Sequence, residues 1–297
     1  MPELPDVENY LRCLRPRILG CALEGVRLQS AFVLRSVEPP LAAFEGREVI
    51  ELSRLGKRIV LHFPEQHYLV LHLMIAGRLQ WKKAGAAVPA RLGLCAFDFP
   101  EGMLLFTEAG SKKRARLHAV RGTDELSAHD PGGLELFEAD AKAFASALRA
   151  ENHTLKRALT DPRVFSGIGN AYSDEILHRA RMSPLQRTQN LDDDQCARLY
   201  EAALATLTHW TQLLAEEVGD GFPKKVTAFH PRMAVHGKYG EPCPDCAAPV
   251  QRIAYASKES NYCAACQTEG RLLRDRALSQ LLKQDWPKSL EELEGSR

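Results

Sequence analysis

The sequence lacks long apolar runs and an N-terminal targeting segment. No uninterrupted apolar stretch reaches the length of about 18 residues that a membrane-spanning helix needs. The opening residues Met-Pro-Glu-Leu-Pro-Asp are not the basic and apolar start of a secretory signal peptide. We therefore expect a soluble protein with no membrane partner. The expected location is the cytoplasm, which in bacteria is the compartment of the nucleoid.

Net charge is also nearly absent, because 39 lysine and arginine residues face 38 acidic ones. Total charge therefore does not indicate a polyanionic partner, although charge can be segregated within a neutral total. Residues 112–121 contain five basic and no acidic residues, and residues 224–288 contain eleven basic and six acidic ones. Each run is compatible with a solvated basic surface as well as with phosphate contacts.

Internal repeats and low-complexity tracts are absent, and the hydrophobic pattern changes along the chain. Apolar residues recur at helical spacing over residues 7–19, which predicts an amphipathic helix. Short β-like runs then follow up to about residue 120, among them 58–63, 68–73 and 103–106. This alternation predicts a β-sandwich or a β-barrel.

After residue 120 the pattern becomes helical. Glycine and proline over 121–135 have the composition of a linker. Alanine and leucine at helical spacing then predict four helices, over 139–149, 153–159, 171–180 and 193–218. A basic amphipathic helix is predicted over 270–284, and the residues from 287 onward are expected to be frayed.

Eight cysteines are present, and four of them have the spacing of a metal site. Two CxxC pairs with sixteen residues between them are typical of a zinc ribbon; they are Cys243, Cys246, Cys263 and Cys266. Four thiolates leave no open position on the metal, so we expect one structural zinc ion, which argues against a zinc-dependent hydrolase. The other cysteines are interpreted as small buried hydrophobic residues: Cys13, Cys21, Cys95 and Cys196.

The second residue could supply a nucleophile. Removal of Met1 would leave the secondary amine of Pro2 at the chain start, followed by Glu3. An α-amino group has a pKa of about 8, against about 10.4 for lysine, so more of it is neutral near pH 7. Met-Pro alone is weak support, because proline near a terminus usually does no more than precede a helix.

Five motifs give Pro2 a context. The run PELPDVENYLRCL at 2–14 resembles the opening of the formamidopyrimidine-DNA glycosylase and endonuclease VIII family, whose consensus begins PELPEVE. LGKR, HLMIAG, GIGNAYSDEIL and HGKYGEPC follow in the family's order, at 55–58, 72–77, 167–177 and 236–243. The resemblance extends over residues 2–267 and implies a bifunctional glycosylase and abasic-site lyase that acts on damaged DNA.

The resemblance implies roles for the matching residues. Pro2 would attack C1′ of the damaged nucleoside, and Glu3 would move protons as the sugar ring opens. Lys57 and Asn170 would each hold a phosphate beside the lesion. Near Asn170 the residues themselves agree, because Gly167, Gly169 and a helix start favour close approach of a phosphate, although Asn170 could also be only a helix cap. Outside these roles, Glu175 could be purely structural, and Asp6 could orient the terminus.

Two departures from the family pattern concern DNA contacts. The family's DPRRFG-like loop, which places an arginine and a phenylalanine in the duplex, is replaced by residues 107–116, which contain no aromatic residue. The family's third void-filling residue, a methionine, aligns with Ile75, and Met74 is adjacent. The zinc-finger arginine that grips phosphate aligns with Lys258, which offers a point charge and no bidentate fork.

The expected fold class is α+β and multidomain. It comprises an N-terminal β-sandwich catalytic domain with a leading helix (1–120), a linker (121–135), a helix-two-turns-helix DNA-binding domain (136–222), a four-cysteine zinc finger (223–270) and a helical extension (271–297). We expect a monomer that acts on single-stranded, bubble, abasic, bulky or crosslinked DNA. The alternative is a non-catalytic protein that binds damaged DNA on the same scaffold.

Overall fold

The computed structural model describes residues 1–110, 112–224, 229–255, 258–274 and 287–295. The chain divides into two compact units. The first comprises Met1–Pro131 and Trp210–Thr227, and the second comprises Gly132–His209 and Ala228–Arg297. No helix among the described residues is long and apolar enough to cross a membrane.

Among its described residues, the first unit contains one long N-terminal helix and eight strands. The helix is α1 (Leu4–Ile18), and the short helix α2 (Thr123–Ser127) follows the last strand. The strands are β1 (Gly25–Leu28), β2 (Glu51–Leu55), β3 (Arg58–Phe63), β4 (His67–His72), β5 (Gly77–Lys82), β6 (Gly93–Phe99), β7 (Gly102–Glu108) and β8 (Arg116–Arg121).

These strands form two antiparallel four-stranded sheets, ordered β1-β6-β7-β5 and β2-β3-β4-β8. One hydrophobic core takes side chains from both sheets and from α1, among them Leu11, Leu61, Leu71, Phe97 and Phe106. The predicted sandwich is therefore confirmed and the barrel is excluded. The predicted strand over 58–63 coincides with β3, whereas β7 extends beyond the predicted 103–106 at both ends.

The second unit is mainly helical before the cysteines. Its helices are α3 (Ala141–Arg149), α4 (Leu155–Thr160) and α5 (Asn170–Arg179), and α6 (Asp193–Val218) continues into the first unit. A two-stranded hairpin, β9 (Val250–Tyr255) and β10 (Lys258–Cys263), precedes α7 (Ala264–Thr268). The four helices predicted between 139 and 218 are confirmed to within two residues at each end, and α6 has the predicted bounds.

Two predictions near the C-terminus need correction. Of the helix predicted over 270–284, residues 270–274 are not helical, and the remaining residues lie outside the described part of the chain. The segment expected to be frayed contains a short helix, α8 (Leu290–Gly295). Its start is stabilised by Ser289, whose Oγ accepts a hydrogen bond from the Glu292 amide at 3.3 Å.

Candidate functional site

The chain start is fixed to helix α1 by two carboxylates. Glu3 is the N-cap residue, and it forms a reciprocal capping box with Asp6. The Asp6 carboxylate accepts a hydrogen bond from the Glu3 amide at 2.9 Å, and both side chains are buried. Asp6, which replaces the family's glutamate, therefore orients the residues that follow Pro2.

Burial also changes the basicity of the chain-start amine. The pKa of the Met1 amine is lowered, first because burial disfavours its charged form. The carboxylates of Glu3 and Asp6 oppose this shift, and the cations Arg78 and Lys57 add to it. An amine in this position is neutral at a lower pH than an exposed one, which favours nucleophilic attack.

Lys57 lies in the tight turn between β2 and β3. The strand pairing leaves two residues in the turn, and Gly56 has φ +61°, which glycine adopts without steric cost. Arg54 donates to the Gly56 carbonyl at 2.9 Å and to the Glu8 carboxylate of α1 at 3.0 Å. This ion pair, which sequence reasoning missed, ties the Lys57 turn to the helix that carries Glu3.

Met74 and Ile75 lie in the turn between β4 and β5. Met74 has φ +53°, and Ile75 is 55% exposed although it is apolar. Gly77 closes the turn, because a Cβ atom there would lie 2.2 Å from the Leu73 carbonyl oxygen. Arg78 donates to the Ile75 carbonyl at 3.2 Å. The turn thus presents one apolar side chain to solvent beside a cation that acts on the chain-start amine.

The segment that replaces the family's wedge loop is organised by Glu108. This residue is 1% exposed, and its carboxylate accepts hydrogen bonds from the amides of Arg114, at 2.8 Å, and Ala115, at 3.1 Å. Lys113 Nζ donates a hydrogen bond to the Glu108 carbonyl oxygen. The carboxylate therefore has a structural role in this segment, which no sequence motif indicated.

In the second unit, Asn170 is the first residue of α5 and is not its cap. Gly169 occupies the N-cap position, and the Asn170 side-chain amide donates to the Glu259 carbonyl of β10 at 2.9 Å. Glu259 directly follows Lys258, which begins β10. The structure therefore places the predicted residues Asn170 and Lys258 on adjoining elements, the start of α5 and the start of β10.

Asp174 is a buried acceptor that sequence reasoning missed. It is 0% exposed and accepts hydrogen bonds from Lys156 Nζ at 2.6 Å and from Ser260 Oγ at 2.9 Å. The ring of His236 lies against its other oxygen, with Nδ1 at 2.7 Å. Lys156 also donates to the Asn170 carbonyl at 2.7 Å. This network joins α4, α5 and β10 around the phosphate-binding residue that the sequence predicts.

Glu175 is also structural. Its buried carboxylate accepts hydrogen bonds from the backbone amides of Ala234, Val235 and His236 at 2.8 to 3.0 Å. Burial raises the pKa of Glu175, and the three amide donors oppose that rise. The motif glutamate therefore anchors the segment that leads into the first cysteine pair.

The four predicted metal ligands meet at one point. Their sulfur atoms lie within 4.8 Å of one another, and three Sγ–Sγ distances are 3.9 Å (Cys243 to Cys266), 3.4 Å (Cys246 to Cys263) and 3.4 Å (Cys246 to Cys266). Tetrahedral zinc with bonds of about 2.3 Å requires sulfur separations of about 3.8 Å. The residues present fit a four-thiolate metal ion, and His178 Nε2 lies 3.3 Å from Cys243 Sγ, close enough to support a ligand.

Comparison with known proteins gives a consistent result. Residues 1–167 match the family model of the formamidopyrimidine-DNA glycosylase N-terminal domain, and residues 130–217 match that of the same family's H2TH domain. The chain is 32% identical over 283 residues to the formamidopyrimidine-DNA glycosylase of Thermus thermophilus, with 91% of this chain and 100% of the relative covered. It is 31% identical over 279 residues to that of Heliobacterium modesticaldum, with 90% and 100% covered.

Solved structures are similar over the same length. The MutM (Fpg) protein of Thermus thermophilus matches with a TM-score of 0.72 at 30% identity, covering 90% of this chain and 98% of that one. The Lactococcus lactis formamidopyrimidine-DNA glycosylase, in a structure with DNA that contains an AP site, matches with a TM-score of 0.78 at 23% identity, covering 90% and 99%. At 23% identity, the likeness to the Lactococcus lactis structure shows the fold alone.

Proposed function

Because the chain belongs to the formamidopyrimidine-DNA glycosylase family, we propose that it is a bifunctional DNA glycosylase and abasic-site lyase of base excision repair. The observation that carries this proposal is the chain start, where burial lowers the pKa of the Met1 amine and the buried carboxylates of Glu3 and Asp6 act on it. Ionisable groups shifted by burial beside a partner charge are typical of catalytic sites, which favours catalysis over non-catalytic DNA binding.

The proposed reaction begins once Met1 is removed. The neutral amine of Pro2 attacks C1′ of the damaged nucleotide, and the glycosidic bond breaks with its electron pair leaving on the base. The Glu3 carboxylate takes up the proton that the Pro2 nitrogen loses and gives it to the sugar ring oxygen as the ring opens, which leaves an iminium ion between Pro2 and C1′. Loss of a proton from C2′ then expels the 3′ phosphate, and a second elimination expels the 5′ phosphate. Lys57 holds a phosphate during these steps.

The second unit is proposed to bind the DNA backbone. Asn170 and Lys258 supply phosphate contacts, and α5 begins at Asn170, so its positive dipole end favours an anion there. Zinc is the metal proposed for the four cysteines, where it stabilises the hairpin and leaves no coordination position for water. We propose that the protein acts as a monomer in the cytoplasm.

Borohydride trapping tests this proposal directly. Incubation with abasic-site DNA and sodium borohydride is expected to give a covalent adduct, because borohydride reduces an iminium to a stable amine. A protein whose first residue is acetylated is expected to give none, since its amine is blocked. Mass spectrometry of the adduct should locate the link on Pro2. A full-length protein that binds the DNA and forms no adduct would establish the non-catalytic alternative.

Lesion preference is a separate proposal that rests on the 108–115 segment. Extruding a base from a duplex costs a few kcal/mol of stacking, which inserted side chains usually offset. Here the Glu108 carboxylate holds the amides of Arg114 and Ala115, and no aromatic residue follows Glu108 before Arg116. We propose that the substrates are already unstacked, as in single-stranded, bubble, abasic, bulky or crosslinked DNA.

Excision rates on matched substrates test this preference. Single-turnover excision of 8-oxoguanine is expected to be at least about tenfold slower from a duplex paired with cytosine than from a single strand, since about 1.4 kcal/mol of unrecovered stacking has that effect. The same DNA sequence without the lesion is the control. Equal rates on the two substrates would contradict the proposed preference and leave the glycosylase proposal intact.

A further inference from the structure

A row of basic side chains crosses three strands of the second sheet. Arg58 of β3 pairs with His72 of β4, which pairs with Arg116 of β8. Directly opposed residues in a sheet project from the same face, and like charges placed opposite one another are destabilising. Side chains arranged in this way attract an anion that neutralises them.

The row continues two residues further along the sheet. His118 pairs with Val70, on the same face, because residues two apart along a strand project to the same side. The ring of His129, from the segment after α2, lies against the His118 ring with centroids 4.5 Å apart. Two arginines and three imidazoles therefore converge on the face of the sheet that points away from the main core.

The charges that act on these groups are mostly of one sign. Burial and then the cations Arg58, Arg116 and Lys57, together with His118, lower the pKa of His72 to about 4. Burial, then His129, Arg116, Arg58 and Arg35, lower the pKa of His118 to about 4. The acidic groups that act on this region are Asp130, beside Arg58, and Glu125, beside His129.

We propose that Arg58, Arg116, His118 and His129 form an additional phosphate-binding site for the backbone of the DNA substrate. It adds to the contacts proposed for Lys57 and Asn170. It rests on the proposed function, because the bound phosphate belongs to the DNA substrate. Arg116 and His118 belong to the basic run 112–121. Composition alone is compatible with either a solvated surface or a phosphate contact for this run. The pairing of β8 with β4 places them beside Arg58.

Binding at this site is expected to take up protons. Without DNA the two histidines of low pKa are neutral at pH 6, and a phosphate at the site replaces repulsion between cations with attraction to an anion. The pKa of His118 therefore rises on binding, and affinity increases as pH falls. The increase approaches about tenfold per pH unit for each proton taken up, while the pH lies between the free and bound pKa values.

The test uses full-length protein and a duplex containing the abasic analogue tetrahydrofuran, which cannot be cleaved. Calorimetry at pH 6 in two buffers of different ionisation enthalpy measures proton uptake, and binding at several salt concentrations counts phosphate contacts. His118→Gln is expected to lose most of the proton uptake. Arg116→Ala is expected to weaken binding and to reduce the slope of log affinity against log salt by about 0.9.

Matched controls lie in the same unit. His62 projects from the same sheet face, but its Nε2 is 2.6 Å from Ser53 Oγ, so His62→Gln is expected to keep the proton uptake. Arg47 pairs with Glu65 at 3.1 Å, so Arg47→Ala is expected to keep the salt slope. Circular dichroism and melting temperature identify a variant that fails to fold, for which His118→Asn and Arg116→Gln are the replacements.

Unchanged proton uptake in His118→Gln together with an unchanged salt slope in Arg116→Ala would overturn this inference. Borohydride trapping on saturating abasic DNA is measured in parallel and is expected to be unchanged in the control variants His62→Gln and Arg47→Ala. If the wild-type protein binds DNA normally and forms no borohydride adduct, the proposed catalysis is refuted and the inference of a phosphate site is unaffected. Absence of DNA binding by the wild type would refute both.

Discussion

A Cys246→Ser substitution is expected to release the metal and to unfold the β9–β10 hairpin. The hydrophobic clusters of this region are small: one contains Val235, Cys243, Val250 and Cys263, and the other contains Ile253, Tyr262, Ala264 and Leu272. A core of this size does not stabilise a fold alone, and structural zinc contributes about 10–16 kcal/mol to zinc-finger peptides. This is the largest effect expected of any substitution proposed for the chain.

Metal content and hydrogen–deuterium exchange measure this outcome. Wild-type protein is expected to contain one equivalent of zinc, and the variant is expected to lose it while the β9–β10 amides exchange at nearly unprotected rates. Cys21→Ser is the matched control, because Cys21 is a half-buried cysteine outside the cluster. It should keep both the zinc and the protection. A Cys246→Ser protein with a full equivalent of zinc would show that the cysteines do not act as a four-ligand set.

An Asp174→Ala substitution is expected to lower the free energy of unfolding of the second unit by about 3–5 kcal/mol. The carboxylate is fully buried, and the side chain of its partner Lys156 is only 14% exposed. Removing one member of a buried ion pair leaves the other charge without compensation, which costs more than the pair contributes. Ser260 and His236 lose an acceptor as well.

Hydrogen–deuterium exchange measures this loss of unfolding free energy, at the α5 amides that exchange only when the unit unfolds globally. Asp245→Ala is the matched control, because it breaks an ion pair with Arg181 of similar length, 2.7 Å, whose side chains are 41% and 49% exposed. Solvent-exposed pairs contribute about 0–1 kcal/mol, so the control should change little. If both substitutions have effects of the same small size, Asp174 is not the buried anchor of α5.

Some features of this protein follow from the sequence alone because they depend on local or covalent patterns. Apolar spacing predicts α1 and α6, since one face of a helix must be buried. CxxC spacing predicts the metal cluster because two residues between cysteines allow both thiolates to reach the same metal ion. Pro2, Glu3, Lys57 and Asn170 were predicted through motifs whose order is fixed along the chain, and their catalytic and binding roles remain predictions.

Other features required the tertiary structure, because their partners are distant in sequence. Asp174 looks like any helical aspartate until Lys156 and Ser260 are brought to it, and Glu108 looks like a loop residue until its carboxylate receives the Arg114 amide. The basic run 112–121 is ambiguous as a string of residues. Strand register shows which of its residues share a face, because pairing of β8 with β4 and of β4 with β3 sets Arg116 and Arg58 on one side of the sheet.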